Sequence, residues 1–233
     1  ELRNEPRQDA ATTVLTAAQA TFAGVHQPAN TLVVLDTSGS MNEEVPDSGG
    51  QTRLQVALHA VRTAVTLYAD ESHLGLWHFS VGLDGDRDYR ELVPLGPMDE
   101  PVDGLPRTQA LAEAAAAIQP VGATGLYDTT LAAFRLMTEH YLPDRLNQVV
   151  LLTDGRNEDP VGIGLDELVT TLRQEYSSQR PVQVITIGYG VDADPDALRR
   201  ISAATGAKSY SALDPNKIEE VLVDALSALP DQR

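Results

Sequence analysis

The chain has 233 residues, 42% of them hydrophobic and 22% charged, which suits one sizeable globular domain or a domain with an extension. Its 34 acids against 17 Lys and Arg give a formal net charge of −17 at pH 7, the wrong sign for binding nucleic acid or an anionic membrane surface. There is no cysteine, which excludes disulfides, thiolate metal sites and cysteine nucleophiles, and no apolar run approaches the ~18–20 residues that would cross a bilayer.

The opening "ELRNEPRQDA" is polar and starts without Met, so it reads as the start of a fragment or a mature form rather than as a signal peptide. Ala, Leu and Phe at helical spacing predict a helix over 8–22, and residues 1–29 read as a helical extension or linker before a domain at 30–230. "TLVVLD" (31–36) is a continuous apolar run, the pattern of a strand buried on both faces. A polar, Gly-rich loop over 42–51 reads as mobile, and a helix follows over 52–69. Strands are expected at 73–80 and 89–95, the second at a sheet edge because Pro94 cannot donate to a ladder. The acids between them, in "VGLDGDRD" (81–88), lack a calcium-loop pattern and read as a solvated turn.

Helices at 107–118 and 125–140 lead to a second buried strand, 147–154, which also ends on an acid. A helix at 165–176, a strand at 181–190 and a helix at 194–205 with Gly206 as C-cap come next. A short strand at 208–212 and a helix at 214–229, capped by Asp214 with Pro215 behind it, close the chain. Strands alternating with helices imply an α/β fold: a doubly wound, three-layer αβα sandwich on a mostly parallel sheet.

In such a sheet, ligands bind beyond the carboxyl ends of the strands. Two strands there end on acids, as "LVVLD" running into "TSGS" and "VVLLTD" running into "GRNED". The segment "GATGLYD" (122–128) feeds a helix from the same edge. Taken singly, Asp36 suits a helix cap and Ser38 or Ser40 a turn. Gly39 suits a tight loop and Met41 suits packing. Asp128 suits either support of the site or a helix start, and Asn157, Glu158 and Asp159 read as a solvated loop.

Together these segments resemble the von Willebrand factor A family. Asp36, Ser38 and Ser40 match its D-x-S-x-S signature, Thr124 the threonine of its second loop and Asp154 the aspartate of its third. The resemblance covers about residues 30–229 and implies a sheet of about six strands with one antiparallel edge strand. It also implies a metal-ion-dependent adhesion site. There Ser38, Ser40 and Thr124 would ligate a divalent cation, Mg²⁺ before Mn²⁺ or Ca²⁺, with Asp36 and Asp154 in contact directly or through water. Hydroxyls neutralise a hard cation only partly, so it keeps an appetite for one more oxygen ligand.

That function is a metal-dependent protein-binding module, whose partner supplies an acidic side chain. It involves no nucleic acid and no membrane insertion. The alternatives are a partner subunit of a MoxR-like or chelatase-like ATPase, and a domain whose ion is purely structural. Enzymes fit less well. A haloacid-dehalogenase phosphatase needs an acid where Ser38 stands. "TSGSM" is not a G-x-S-x-G elbow, and no phosphate-binding glycine fingerprint is present. The compartment stays open, with an extracellular or cell-surface place slightly preferred.

Overall fold

The computed structural model describes residues 28–227, so the helix expected at 8–22 and the last two residues of the helix expected at 214–229 lie outside the described residues. Six strands form one sheet: β1 Ala29–Asp36, β2 His73–Asp84, β3 Arg87–Pro97, β4 Leu146–Thr153, β5 Val182–Tyr189 and β6 Ser209–Ala212. Among the described residues six α-helices surround it: α1 Arg53–Val65, α2 Arg107–Ala116, α3 Leu126–Glu139, α4 Leu165–Glu175, α5 Pro195–Ala204 and α6 Ile218–Ser227. The strand order is β3-β2-β1-β4-β5-β6. Every pairing is parallel except β2 with β3, which is antiparallel at the edge, as expected.

Both central strands are buried along their length because helices cover both faces. Alternate residues of β1 go to opposite sides. Val33 and Leu35 join a core with Leu54 and Ala57 of α1, Leu111 of α2 and Leu222 of α6. Leu32 and Val34 join the opposite core, with Phe134 of α3, Leu172 of α4 and Ile201 of α5. No described helix is long and apolar enough to cross a membrane.

Local chemistry sets the ends of the elements. Thr52 and Gln55 form a capping box that starts α1, and Asp194 accepts the amides of Asp196 and Ala197 to start α5. Asp214 caps as expected, but a short 3-10 turn, Pro215–Lys217, precedes α6. The β2–β3 hairpin is longer than expected: most of 81–88 is strand, and the turn narrows to the residues around Gly85, whose φ is 68°. Its acids are not all solvated, since Asp88 accepts the Gly82 amide at 2.8 Å. The 42–51 loop is a closed turn rather than a free one. Val45 is buried, its amide donates to Gln51 O at 2.9 Å, and Glu44 bridges Thr52.

Candidate metal centre

Three loops meet beyond the carboxyl ends of β1 and β4. The first, after Asp36, enters a short 3-10 turn, Gly39–Asn42, whose Met41 is fully buried. The Gly39 amide donates to Gly122 O at 2.9 Å and the Val121 amide to Thr37 O at 2.8 Å, joining first and second loops. The Glu158 amide donates to Thr124 O at 2.8 Å and joins the third. A Cβ at Gly39 would lie 3.4 Å from the Gly122 carbonyl, an ordinary contact, and Gly39 is not in the left-handed region, so neither space nor backbone conformation requires glycine there.

The five residues expected at the site converge. The Asp36 carboxylate is fully buried and accepts the Ser38 amide at 2.8 Å and the Thr153 hydroxyl at 2.5 Å. Ser38 Oγ lies 3.1 Å from Ser40 Oγ, which donates to Asp154 Oδ1 at 2.9 Å. Thr124 faces the third loop so closely that a Cβ on Gly155 would sit 2.9 Å from its hydroxyl. Only glycine after Asp154 leaves that space open. Ser40, Thr124 and Gly155 line a cleft of about 620 Å³ open to solvent.

The charges are unbalanced. Burial, then the charge of Asp154, raises the Asp36 carboxyl from 3.8 to about 7. Burial also raises Asp154, against hydrogen bonds from Arg53 and Ser40 that favour its ionised form. A bound cation would relieve this tension. The donor set is all oxygen, part hydroxyl and part carboxylate, which fits a hard divalent ion.

Several contributors escape a reading of single motifs. Arg53 Nη1 donates to Asp154 Oδ2 at 2.7 Å, and its Nη2 meets Glu43 at 2.8 Å and Asp192 at 3.1 Å. Its side chain is only 12% exposed. A cation in the first turn of a helix sits at the positive end of the dipole, so Arg53 needs such acids, and that mismatch is a signal legible in the sequence. Thr153 pins Asp36. Glu158 accepts the Thr124 amide at 3.3 Å, and Asn157 Oδ1 accepts the Leu126 and Tyr127 amides at the start of α3. The third loop is therefore bonded to the second and not merely solvated.

Asp128 does not bond to the site. It accepts the Ile163 amide at 3.1 Å and gathers with Asp88 and Asp159, their carboxylate oxygens within 4.8 Å of one another. His78 Nδ1 lies 3.2 Å from Thr37 Oγ1, and burial pushes its pKa down to about 4, so it is neutral at pH 7.

Comparison with known proteins gives a consistent picture. The family model for the von Willebrand factor type A domain matches residues 31–157. The uncharacterized proteins MT1884 and Rv1836c of Mycobacterium tuberculosis are each 30% identical over 178 residues, 75% of this chain and 25% of theirs. The chain thus spans about a quarter of the length of the curated relatives it matches. A von Willebrand factor type A structure from Catenulispora acidiphila superposes with a TM-score of 0.66 at 21% identity, covering 86% of this chain and 42% of that one. The mussel byssus proximal thread matrix protein 1, solved with a zinc-occupied MIDAS motif, superposes with a TM-score of 0.61 at 17% identity, covering 86% and 48%.

Proposed function

The chain belongs to the von Willebrand factor type A family, and on that premise we propose that its upper sheet edge is a metal-ion-dependent adhesion site that presents a divalent cation to an acidic side chain of a partner protein. Domains of this family generally mediate metal-dependent protein interactions. The observation that carries the reading is the chain of oxygens from Ser38 through Ser40 to Asp154, closed from behind by buried Asp36 and opening into the cleft beside Thr124.

Ser38, Ser40 and Thr124 would ligate the cation, with Asp36 and Asp154 balancing its charge directly or through water. Bound there, the cation supplies an electrophilic centre for one further carboxylate oxygen. The residues of the chain do the rest. Thr153 and the Ser38 amide fix the Asp36 carboxylate, and Arg53 holds Asp154 and takes up part of its charge. The three linked loops hold the hydroxyls in place before anything binds, so little ordering cost falls on association. Mg²⁺ is the proposed ion, since it keeps several waters and tolerates an incomplete protein shell. The mussel protein's zinc supports a divalent ion without choosing it.

We read the site as a binding site, because its hydroxyl and carboxylate oxygens gather at one cleft that stays open to a further ligand. Manganese is a usable probe. Water relaxation by protein-bound Mn²⁺ should fall when acetate or a short glutamate-bearing peptide is added, as a carboxylate replaces bound water. Unchanged relaxation at saturating carboxylate would mean that the ion is closed off and structural.

A further inference from the structure

The large aliphatic side chains left exposed among the described residues are Val121, Val161, Val191 and Leu213. All four stand on loops beyond the carboxyl ends of the strands, the half of the molecule that carries the metal centre. Single exposed aliphatics are ordinary on a protein surface, but exposure confined to one end marks that end as a contact surface.

Two of the four wall a second cavity. Val191 follows β5 and Leu213 follows β6, and the Gly190 amide joins the two turns by donating to Ala212 O at 2.9 Å. With Ala193 and Leu198 they line a pocket of about 230 Å³, rimmed by Arg199 and Ser211. Apolar walls inside a polar rim are the make-up of an anchoring pocket at a protein interface.

The pocket is continuous with the cleft. Asp192 lines the cleft, and its neighbours Val191 and Ala193 line the pocket. Arg53 ties the shared loop to the metal centre, with Nη1 on Asp154 and Nη2 on Asp192. Asp154 follows β4, and the pocket lies over β5 and β6, one to two strand spacings away, about 5–10 Å. An extended peptide covers that distance in two or three residues, at about 3.3 Å each.

We propose that the partner carries a two-part determinant: the carboxylate that completes the cation's shell and, two or three residues from it along an extended segment, an aliphatic side chain that fills the pocket between Val191 and Leu213. The inference rests on the metal-dependent reading above and adds what stands beside the acid. Charge favours an apolar second element over another acid, because Glu43, Glu158 and Asp192 outnumber Arg156 around the cleft.

The test uses blocked alanine peptides carrying one Glu, with Leu placed two, three or six residues from it on either side. Each is titrated into the Mg²⁺-saturated chain and followed by the protein's methyl NMR signals. Leu at two or three residues on one side should tighten binding about 5- to 20-fold over the peptide without Leu, and should shift the Val191 and Leu213 methyls. Leu six residues away should add less than about twofold. Val191→Ser with Leu213→Ser should bring the ratio between leucine and alanine peptides to about one. Both positions are exposed, at 76% and 72%, so the fold should tolerate the change. If the alanine peptide binds in a metal-dependent way and leucine adds nothing at any position, the metal reading stands and this proposal falls. A leucine gain that persists without metal, or in the double variant, overturns the two-part determinant as well. If no peptide binds the Mg²⁺-loaded chain, both readings fall together.

Discussion

Two groups of acids sit on the upper half of the molecule, and they are built differently. Asp36 and Asp154 are fully buried, each bonded to a hydroxyl, and Asp154 also to a guanidinium. Asp88, Asp128 and Asp159 are half-buried, and each accepts a nearby backbone amide, from Gly82, Ile163 and Val161. Burial, then the charges of Asp159 and Asp128, raises Asp88. Both groups gather negative charge, but only the first interleaves it with neutral oxygens at a cleft. The second closes loops through backbone amides, and Asp88 Oδ2 is buried there without a hydrogen bond. Counting acids does not distinguish them, whereas hydroxyl partners and burial do.

The sharpest way to break this comparison is to remove the hydroxyls. Ser38→Ala with Ser40→Ala should weaken Mn²⁺ binding by at least about 100-fold, counted as free ion by electron paramagnetic resonance. Affinity unchanged by that pair would shift the ion to the second group.

Asp36→Asn should rank next. It removes a buried charge that the apo protein holds at a cost, so the metal-free variant should be more stable by on the order of 1–3 kcal/mol at pH 8. The pH dependence has a definite sign. The Asp36 carboxyl is raised from 3.8 to about 7 on folding, so between those values the folded chain binds more protons than the unfolded one. Stability from this group is therefore greatest at low pH and falls as pH rises through that window. Melting curves of the metal-free protein from pH 5 to 7.5 should decline more steeply for wild type than for Asp36→Asn. Parallel curves would refute the assignment.

Arg53→Gln should have a smaller effect, of two signs. Losing the guanidinium frees Asp154, so affinity for a divalent ion should rise by about tenfold while the metal-free protein loses about 1–3 kcal/mol. Calorimetry and chemical denaturation read the two effects separately. The smallest effect is expected from Asp128→Asn with Asp159→Asn. Relieving like charges at half-exposed positions should raise stability by about 0.5 kcal/mol and leave metal affinity within about twofold.

Much of this was legible in the chain itself. Continuous apolar runs marked β1 and β4 as buried strands, and Pro94 marked β3 as the edge. The motif residues Asp36, Ser38, Ser40, Thr124 and Asp154 emerge on one edge because strand direction and loop order place them there. What stayed hidden depends on contacts distant in sequence. Arg53 is 101 residues from Asp154, and Thr153 is 117 from Asp36, and neither spacing leaves a local pattern. The third loop looked solvated because Asn157, Glu158 and Asp159 are polar. The partners of Asn157, the Leu126 and Tyr127 amides at the start of α3, become free only because a helix begins there. The turn at 42–51 looked loose for a similar reason, since its Gly and polar residues conceal one buried anchor, Val45.

The most direct test of the central claim is a calorimetric titration of Mg²⁺, and separately of Mn²⁺, into the wild-type chain and Asp154→Ala. The account predicts one saturable site per wild-type chain and no measurable heat from the variant. Equal heats for the two proteins would contradict it.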